Sequence, residues 1–417
     1  MSKLSRRRVV VTGVGLVNPF GGDAENFFAR IMRGESAVSL YRHPSTLSPL
    51  EQPAVSCLLF NPEQEIGRSI SSMTDRYSQL GIAAAFSAWD DCGLSRVGAG
   101  SDDYGVSWGT GVGGALTIEK GYSDFYERGK LRTSPLSVAL AMNNAAASNI
   151  AISLGLGGAC LSYSVACASS AVSIGEAFRR IQIGESSLIV AGGSEAPLSL
   201  SLMRAWEAMR VIAMGNEETA YRACRPFQAG RTGFALGEGG AALVLEELNH
   251  AVERGARIYC ELAGYGQSCD HTHLVRPDAK GQFRAINAAI HEAGLSPADV
   301  GYVNAHGTAT PEGDPIEINA LKMVFGDHAA NLPVSATKSM HGHLLGAAGA
   351  MEALVTVLSL FHQKIPPTAH LEEVAADCQG VSHVMGQGLS DVSFQSAISN
   401  SFAFGGSNAV LAFRLTS

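Results

Sequence analysis

"SYSVACASSAVSIGEAFRRIQIGES", residues 162–186, passes from a short strand-like run through Cys167 into a helix of small residues. Ala171, Ile174, Phe178 and Ile181 recur at helical spacing, and Gly184 ends the run. "SATKSMHGHLLGAAGAMEALVTVLSLFHQK", residues 335–364, is built the same way: a strand end, chemistry-bearing residues, then a small-residue helix. "GEA" and "MEA" fall at similar points in the two helices. This echo predicts two related halves, 1–255 and 256–417, meeting near the end of "EELNHAVERGA". No Pro- or Ser-rich linker separates them, so they are expected to pack as one body.

Strand-like runs recur along the chain: "RRVVVTGVG", "DYGVSWGTG", "SLIVAGGSEA", "GGAALVLEEL", "DVGYVNAHGT", "LPVSATKS" and "SNAVLAFRL". Helical stretches such as "DRYSQLGIAAAFSAWDDCGL" and "GQFRAINAAIHEAGL" lie between them, which predicts an α/β fold with a mostly buried sheet. A hydrophobic share of 46% with only 16% charged residues fits a large buried body rather than disorder. A formal net charge of -8 argues against a general nucleic-acid surface, though a local basic patch for an acidic partner remains compatible with it. The start, "MSKLSRRRVVVTGVGL", resembles a signal peptide, but the apolar run is short and breaks at Gly13 and Gly15; it reads as a first strand and turn. "GAAGAMEALVTVLSLF", 346–361, contains Glu352 and reads as a core helix too short to span a membrane. The cysteines at 57, 92, 160, 167, 224, 260, 269 and 378 form no CxxC or metal-ligand spacing, and fit reduced thiols in a cytosolic protein.

Four stretches carry chemistry. Cys167 falls at or just before a helix N-terminus, where unpaired N–H groups and the macrodipole favour a thiolate; read locally, it is either a nucleophile or one more small buried thiol. "NAHGTATPEGDPIE", 304–317, delivers His306 from a strand end, with Thr308 and Thr310 adding hydroxyls. "SATKSMHGHLLGAAGA", 335–350, sets Lys338 and His343 between a strand and a glycine-rich helix start. "SNSFAFGGSNA", 399–409, places Phe402 and Phe404 before two glycines, as a loop offering N–H groups to an oxyanion or as a tight hairpin. "GTGVGG", 109–114, also matches a dinucleotide fingerprint, but no acidic residue closes a second strand about 20 residues on, as a ribose site requires.

Together these stretches resemble the β-ketoacyl-[acyl carrier protein] synthases, of the elongating, type II-like kind. "VACASSA" is similar to their nucleophile motif, "NAHGTATPEGDPIE" to the first histidine motif, "KSMHGHLLGAAGA" to the lysine and second histidine motif, and "NSFAFGGSN" to the gate loop. "RPFQAGRTGFALGEGG", 225–240, also matches, and the resemblance runs essentially end to end. It implies a thiolase-like fold of two α/β halves in a five-layered α-β-α-β-α body. Cys167 would take the acyl chain as a thioester, and His306 and His343 would stabilise the enolate left by malonyl decarboxylation. Lys338 would hold the site's electrostatics and orient the histidines. The N–H groups of Cys167 and Phe404 would form the oxyanion hole, with Phe404 as gate. Val112 would line the acyl pocket, leaving room for a medium or long chain, and Thr308 and Thr310 would contact the phosphopantetheine arm. Asp314 and Glu317 match the supporting carboxylates. Asn304, Glu352, Ser399 and Asn400 match a structural monovalent-cation site found in some relatives.

The resemblance further implies no cofactor of the protein's own, because phosphopantetheine is carried by the acyl carrier protein. It implies a homodimer, or a heterodimer with a related ketosynthase, in the cytoplasm, with no nucleic acid and no membrane insertion. Arg68, Arg76, Arg128, Lys130, Arg132 and Arg210 could form the basic patch for the carrier, or be ordinary solvated surface. The chain departs from the family pattern at Gln228, Thr232, His341, Ala403 and Ser407. "APLSLSLMRAWEAMR", "RPFQAGR" and the extra histidine, His341, are most similar to a specialised branch that includes nodulation-factor and polyene-type ketosynthases. A non-condensing chain-length factor would typically lack the nucleophile, which is present. A thiolase would carry a second catalytic cysteine near the C-terminus, and Cys378 in "DCQG" reads as a loop residue instead.

Overall fold

The computed structural model describes residues 6–44 and 48–416, so residues 1–5 of the basic start lie outside the described residues. Strands β1 (Val9–Val17), β2 (Ser39–Arg42), β3 (Glu51–Val55), β4 (Tyr104–Gly109), β5 (Cys160–Tyr163), β6 (Leu188–Glu195), β7 (Leu236–Gly237) and β8 (Gly239–Glu247) come first. β9 (Cys260–Cys269), β10 (Tyr302–Asn304), β11 (Pro333–Ser335), β12 (Ser382–His383), β13 (Ser396–Phe402) and β14 (Ser407–Arg414) follow. β1 does not turn at its glycines, contrary to the sequence reading; it continues through both to Val17, with a register shift against β8 between Val11 and Gly13. A Cβ on Gly15 would lie 2.2 Å from the Ala88 nitrogen, so the glycines let the helix Arg76–Asp91 lie directly on the strand.

The large sheet has the order β5-β4-β6-β8-β1-β9-β14-β13-β10-β11-β12, and β2, β3 and β7 form a small separate sheet. β4 pairs parallel with β5 and β6, and β8 antiparallel with β6 and β1. β10 likewise pairs parallel with β11 and β13, and β14 antiparallel with β13 and β9. The same order and sense therefore occur on either side of the helix Leu248–Glu253, and the two half-sheets join where Val9–Val11 pair with Cys260–Leu262.

Alternation along the strands sorts side chains into three stacked cores, as the two-residue period of a strand dictates. On β8, Ala241, Leu243 and Leu245 enter the middle core, while Ala242 and Val244 face the helix Arg76–Asp91. On β14, Ala409, Leu411 and Phe413 enter the middle core, while Val410 and Ala412 face the helix Ala279–Glu292. The middle core holds the helices Ser169–Gln182 and Ala348–His362, so the layers run helix, sheet, helix pair, sheet, helix. These two helices need small residues: a Cβ on Gly349 would lie 2.8 Å from the Ala171 Cβ, and one on Gly175 2.4 Å from the Tyr265 ring.

With its leading turn the second helix reaches Leu345–His362, 18 residues long and apolar enough to cross a membrane by length and composition. This corrects the expectation that it is too short. It is nevertheless 89% buried inside the protein, between the two half-sheets.

Candidate active site

Each half delivers its reactive groups from strand ends to the same place. After β5 the chain turns sharply at Ala166, whose φ of 44° is the left-handed region and carries strain. Ser169 secures the turn, accepting from the Val165 N–H at 2.8 Å and donating to the Ala166 carbonyl at 2.7 Å. Cys167 stands at the top of this elbow, just before the helix Ser169–Gln182. His306 follows β10, and the Lys338–His343 segment follows β11.

The Cys167 Sγ lies 3.1 Å from His343 Nε2. The two imidazoles are 5.5 Å apart between ring centroids and nearly perpendicular. Their outer neighbours assign the tautomers. The Lys338 ammonium sits 3.2 Å from His306 Nδ1, and the Leu345 N–H donates to His343 Nδ1 at 3.2 Å. Both Nδ1 atoms therefore accept, and both Nε2 atoms carry the proton. Burial and the Lys338 charge hold both imidazoles neutral, well below the ordinary histidine range. Ligating atoms of Cys167, His306 and His343 lie within 4.8 Å of one another, a spacing that could suit a metal. Protonated Nε2 atoms and a neighbouring ammonium make it instead a site that binds negative charge.

Lys338 is fully buried and forms an ion pair with Glu352, while also donating to the His306 carbonyl. Glu317 accepts the N–H groups of His306 and Gly307, both at 2.8 Å, and an Asn400 amide proton at 3.1 Å. Asp314 accepts the Phe227 N–H at 2.7 Å and pairs with buried Arg231 at 3.1 Å. Arg231 also donates to the Thr310 and Pro311 carbonyls, fixing the segment after His306.

A chamber of 380 Å³ opens onto Cys167, His306, His343, Phe402 and Phe404. Thr308 and Thr310 line it and share a 3.0 Å hydrogen bond. The stretch 399–409 is a hairpin, β13 ending at Phe402 and β14 starting at Ser407, and its turn also lies at the site. The Phe404 N–H acts on the Cys167 thiol, and the Phe404 ring stacks on Trp206 at 5.9 Å.

Several sequence expectations change. The helix terminus does not leave Cys167 as a free thiolate: burial pushes its thiol up to about 12, against the pull of Lys338. Val112, expected along the acyl side rather than in this chamber, lies in the turn after β4, with its N–H on Glu195. Arg76 is turned inward, donating to both oxygens of Glu238 and to the Cys57 carbonyl, which removes it from any docking patch. Arg128 and Lys130 are exposed and share Asp124. Arg68 and Arg132 are exposed and do not line the chamber, whereas Arg210 does. Cys378 is buried in the outer core of the second half and does not reach the chamber. The glycine-rich stretch 109–114 gives the N–H groups of Gly111 and Val112 to Glu195, leaving them no phosphate to bind.

Sequence reasoning missed Glu195, Arg231 and the mouth residue Arg276. Only Glu195 had a signal, an acid closing the otherwise uncharged buried run "LIVAGGSE". Four oxygens of the expected cation set, Asn304 Oδ1, Glu352 Oε2, Ser399 Oγ and Asn400 Oδ1, are buried without a hydrogen-bond partner. A buried oxygen without a donor is costly, and an all-oxygen set with one carboxylate suits a hard cation.

A buried thiol facing two N–H-donating imidazoles and a backbone amide, on a duplicated α/β body, is chemically suited to capturing an acyl group and holding negative charge beside it. Comparison with known proteins agrees. Residues 6–251 match the beta-ketoacyl synthase N-terminal domain and residues 259–372 the C-terminal domain. The chain is 39% identical over 416 residues to 3-oxoacyl-[acyl-carrier-protein] synthase 2 of Vibrio harveyi, covering 99% of each. Among solved structures it is similar to the ishigamide ketosynthase/chain length factor, with a TM-score of 0.91 and 29% identity, over 99% of this chain and 100% of that one. It is also similar to a type II PKS acyl-carrier protein complex with its ketosynthase bound to the hexaketide, with a TM-score of 0.89 and 30% identity over the same shares. The chain belongs to the beta-ketoacyl synthase family, and its five-layered body is the thiolase-like fold.

Proposed function

We propose that the protein is a 3-oxoacyl-[acyl carrier protein] synthase that extends an acyl chain by decarboxylative condensation with malonyl-[acyl carrier protein]. The observation that carries this is the pairing of Cys167 with two imidazoles whose Nε2–H groups are both directed by donors on Nδ1. In the first half-reaction Cys167 sulfur attacks the acyl thioester. The Phe404 N–H and the Cys167 N–H stabilise the tetrahedral oxyanion, and the pantetheine sulfur leaves with the proton the thiol gave up. In the second, malonyl thioester loses CO2, and the electron pair moves onto the thioester oxygen as an enolate. The Nε2–H groups of His306 and His343 hold that charge. The enolate carbon attacks the acyl–Cys167 carbonyl, the C–S bond breaks, and the Cys167 thiolate takes one proton from solvent water, the proton the half-reaction consumes. Phe404, followed by Gly405 and Gly406, gates the two steps.

The carrier's acidic surface is met by Arg68, Arg128, Lys130, Arg132 and Arg210, with Thr308 and Thr310 along the phosphopantetheine arm; the reading assigns the protein no cofactor of its own. Val112, set behind the elbow rather than in the open chamber, fits a boundary of the acyl side. A second copy, or a related ketosynthase, covers the exposed apolar residues Tyr122, Phe125 and Tyr126 and the half-exposed edge strand β5. Eight free cysteines support a reducing, cytoplasmic setting. Fatty acid elongation and a specialised polyene-type pathway use the same chemistry at this site. The assay is sequential: acyl-carrier protein first, for an adduct on Cys167, then malonyl-carrier protein, for CO2 and a 3-oxoacyl product. Formation of neither overturns the proposal.

We also assign the orphan oxygens of Asn304, Glu352, Ser399 and Asn400 to a structural monovalent cation that ties β10, β13 and the core helix together behind Lys338. The unfolding midpoint is expected to rise by roughly a few degrees when potassium or sodium replaces choline at constant ionic strength. Asn400→Leu should abolish the rise. Identical midpoints in all three salts contradict the assignment.

A further inference from the structure

Glu195 ends β6, fully buried, where the two halves of the molecule touch. The Thr110 hydroxyl donates to its Oε1 at 2.9 Å and the Val112 N–H to the same atom at 3.2 Å. The Gly111 N–H donates to Oε2 at 2.6 Å. The remaining donor comes from the other half: the Gly346 N–H, 3.0 Å from Oε2. Gly346 must be a glycine, because a Cβ there would lie 2.2 Å from the Gly111 nitrogen. Two backbones thus meet with one carboxylate seated across the joint.

The Gly346 end of this clamp matters for the chemistry. Gly346 belongs to the turn Leu345–Ala347, and its neighbour Leu345 has a strained φ of 45°. The Leu345 N–H is the donor that makes His343 Nδ1 an acceptor and so leaves the proton on Nε2, 3.1 Å from Cys167. We propose that Glu195 is a positioning residue for His343, holding the Leu345–Ala347 turn from which that imidazole takes its tautomer and its aim. The inference rests on the condensation reading above.

A carboxylate only accepts, and every group around it donates. Glutamine at this position has the same shape but turns an NH2 group toward at least one of those N–H groups. The first-half loop has other anchors, including the Thr110 N–H to the Tyr163 carbonyl at 3.1 Å and the Gly113 N–H to the Thr110 hydroxyl at 3.1 Å. The strained turn in the second half is therefore the part that moves.

The test compares wild type with Glu195→Gln in both half-reactions, using the full chain with acyl- and malonyl-loaded carrier protein. Acylation of Cys167, followed by intact mass, should stay within about twofold, since it does not use the His343 donor. The kcat for CO2 release should fall on the order of tenfold at unchanged KM for malonyl-carrier protein, the size of one hydrogen bond to a charged group. The ratio of the two rates does not depend on the fraction folded, so a purely structural role leaves it unmoved. Equal losses in both steps overturn the inference. Should Glu195→Gln fail to fold, Glu195→Asp keeps the acceptor, draws it back from the Gly346 N–H, leaves the Thr110 and Gly113 anchors in place and carries the test. It predicts a smaller loss confined to CO2 release, and an unchanged ratio counts against the inference. A wild-type protein that releases no CO2 instead overturns the condensation reading itself.

Discussion

His306→Ala should still take up an acyl group on Cys167 and should lose malonyl decarboxylation by about 10²–10³-fold, the effect of removing one aimed donor from a developing oxyanion. The separation follows from geometry. The Phe404 N–H bonds the Cys167 thiol, the atom that would take the acyl group, whereas the His306 Nε2–H is directed into the chamber by Lys338 on its other nitrogen. The substitution keeps the residue-306 carbonyl and N–H, so the bonds from Lys338 and to Glu317 through the backbone remain. Intact mass should show the acyl adduct while CO2 release is nearly lost. Unchanged CO2 release contradicts the assignment of His306 as an enolate donor.

Lys338→Ala should be costly twice over. Lys338 and Glu352 are both fully buried and paired, and Glu352 is already pushed up to about 7 by burial even with Lys338 beside it. Removing the ammonium takes away the ion-pair partner of a buried carboxyl, at a cost of about 3–5 kcal/mol in choline salt, where the assigned cation is not supplied, and raises that carboxyl further. The same change frees His306 Nδ1, so the imidazole loses the donor that directs its proton into the chamber, and decarboxylation should fall by about 10²-fold. The double variant Lys338→Ala/Glu352→Gln separates the effects. Denaturant unfolding in choline salt should show most of the stability regained, because neither charge of the buried pair is then present, while decarboxylation stays low. Recovery of both together contradicts the separate role of Lys338 in directing His306.

The residues that the fold gathers around Cys167 were legible because each sits in a short run where a strand ends and small residues begin, as at Cys167 and Lys338. The duplication was legible for the same reason: the two central helices must both be narrow, so their glycines and alanines fall in parallel. β9 and β13 were not anticipated. β9 reads "CELAGYGQSC", broken by glycines that exist because helix backbone lies on them; a Cβ on Gly266 would be 1.9 Å from the Ala285 carbonyl oxygen. Gly13 and Gly15 misled in the same way, suggesting a turn where a helix presses on a strand. Arg76 looked like surface because a sequence does not show that Glu238, far along the chain, receives it. The raised thiol of Cys167 was hidden too: a helix terminus is visible locally, whereas the burial that outweighs it is built from both halves. Glu195 shows the limit most sharply, since its partners come from residues 110–112 and from Gly346.

In the proposed reaction the Cys167 sulfur is the atom that holds the growing chain. Incubation of the full chain with a panel of acyl-carrier proteins, short, long and unsaturated, followed by intact mass and peptide mapping, tests this directly. The predicted result is one acyl mass on the peptide containing Cys167 for at least one member of the panel, and none in Cys167→Ala. No adduct from any member, or an adduct that persists in Cys167→Ala, contradicts it.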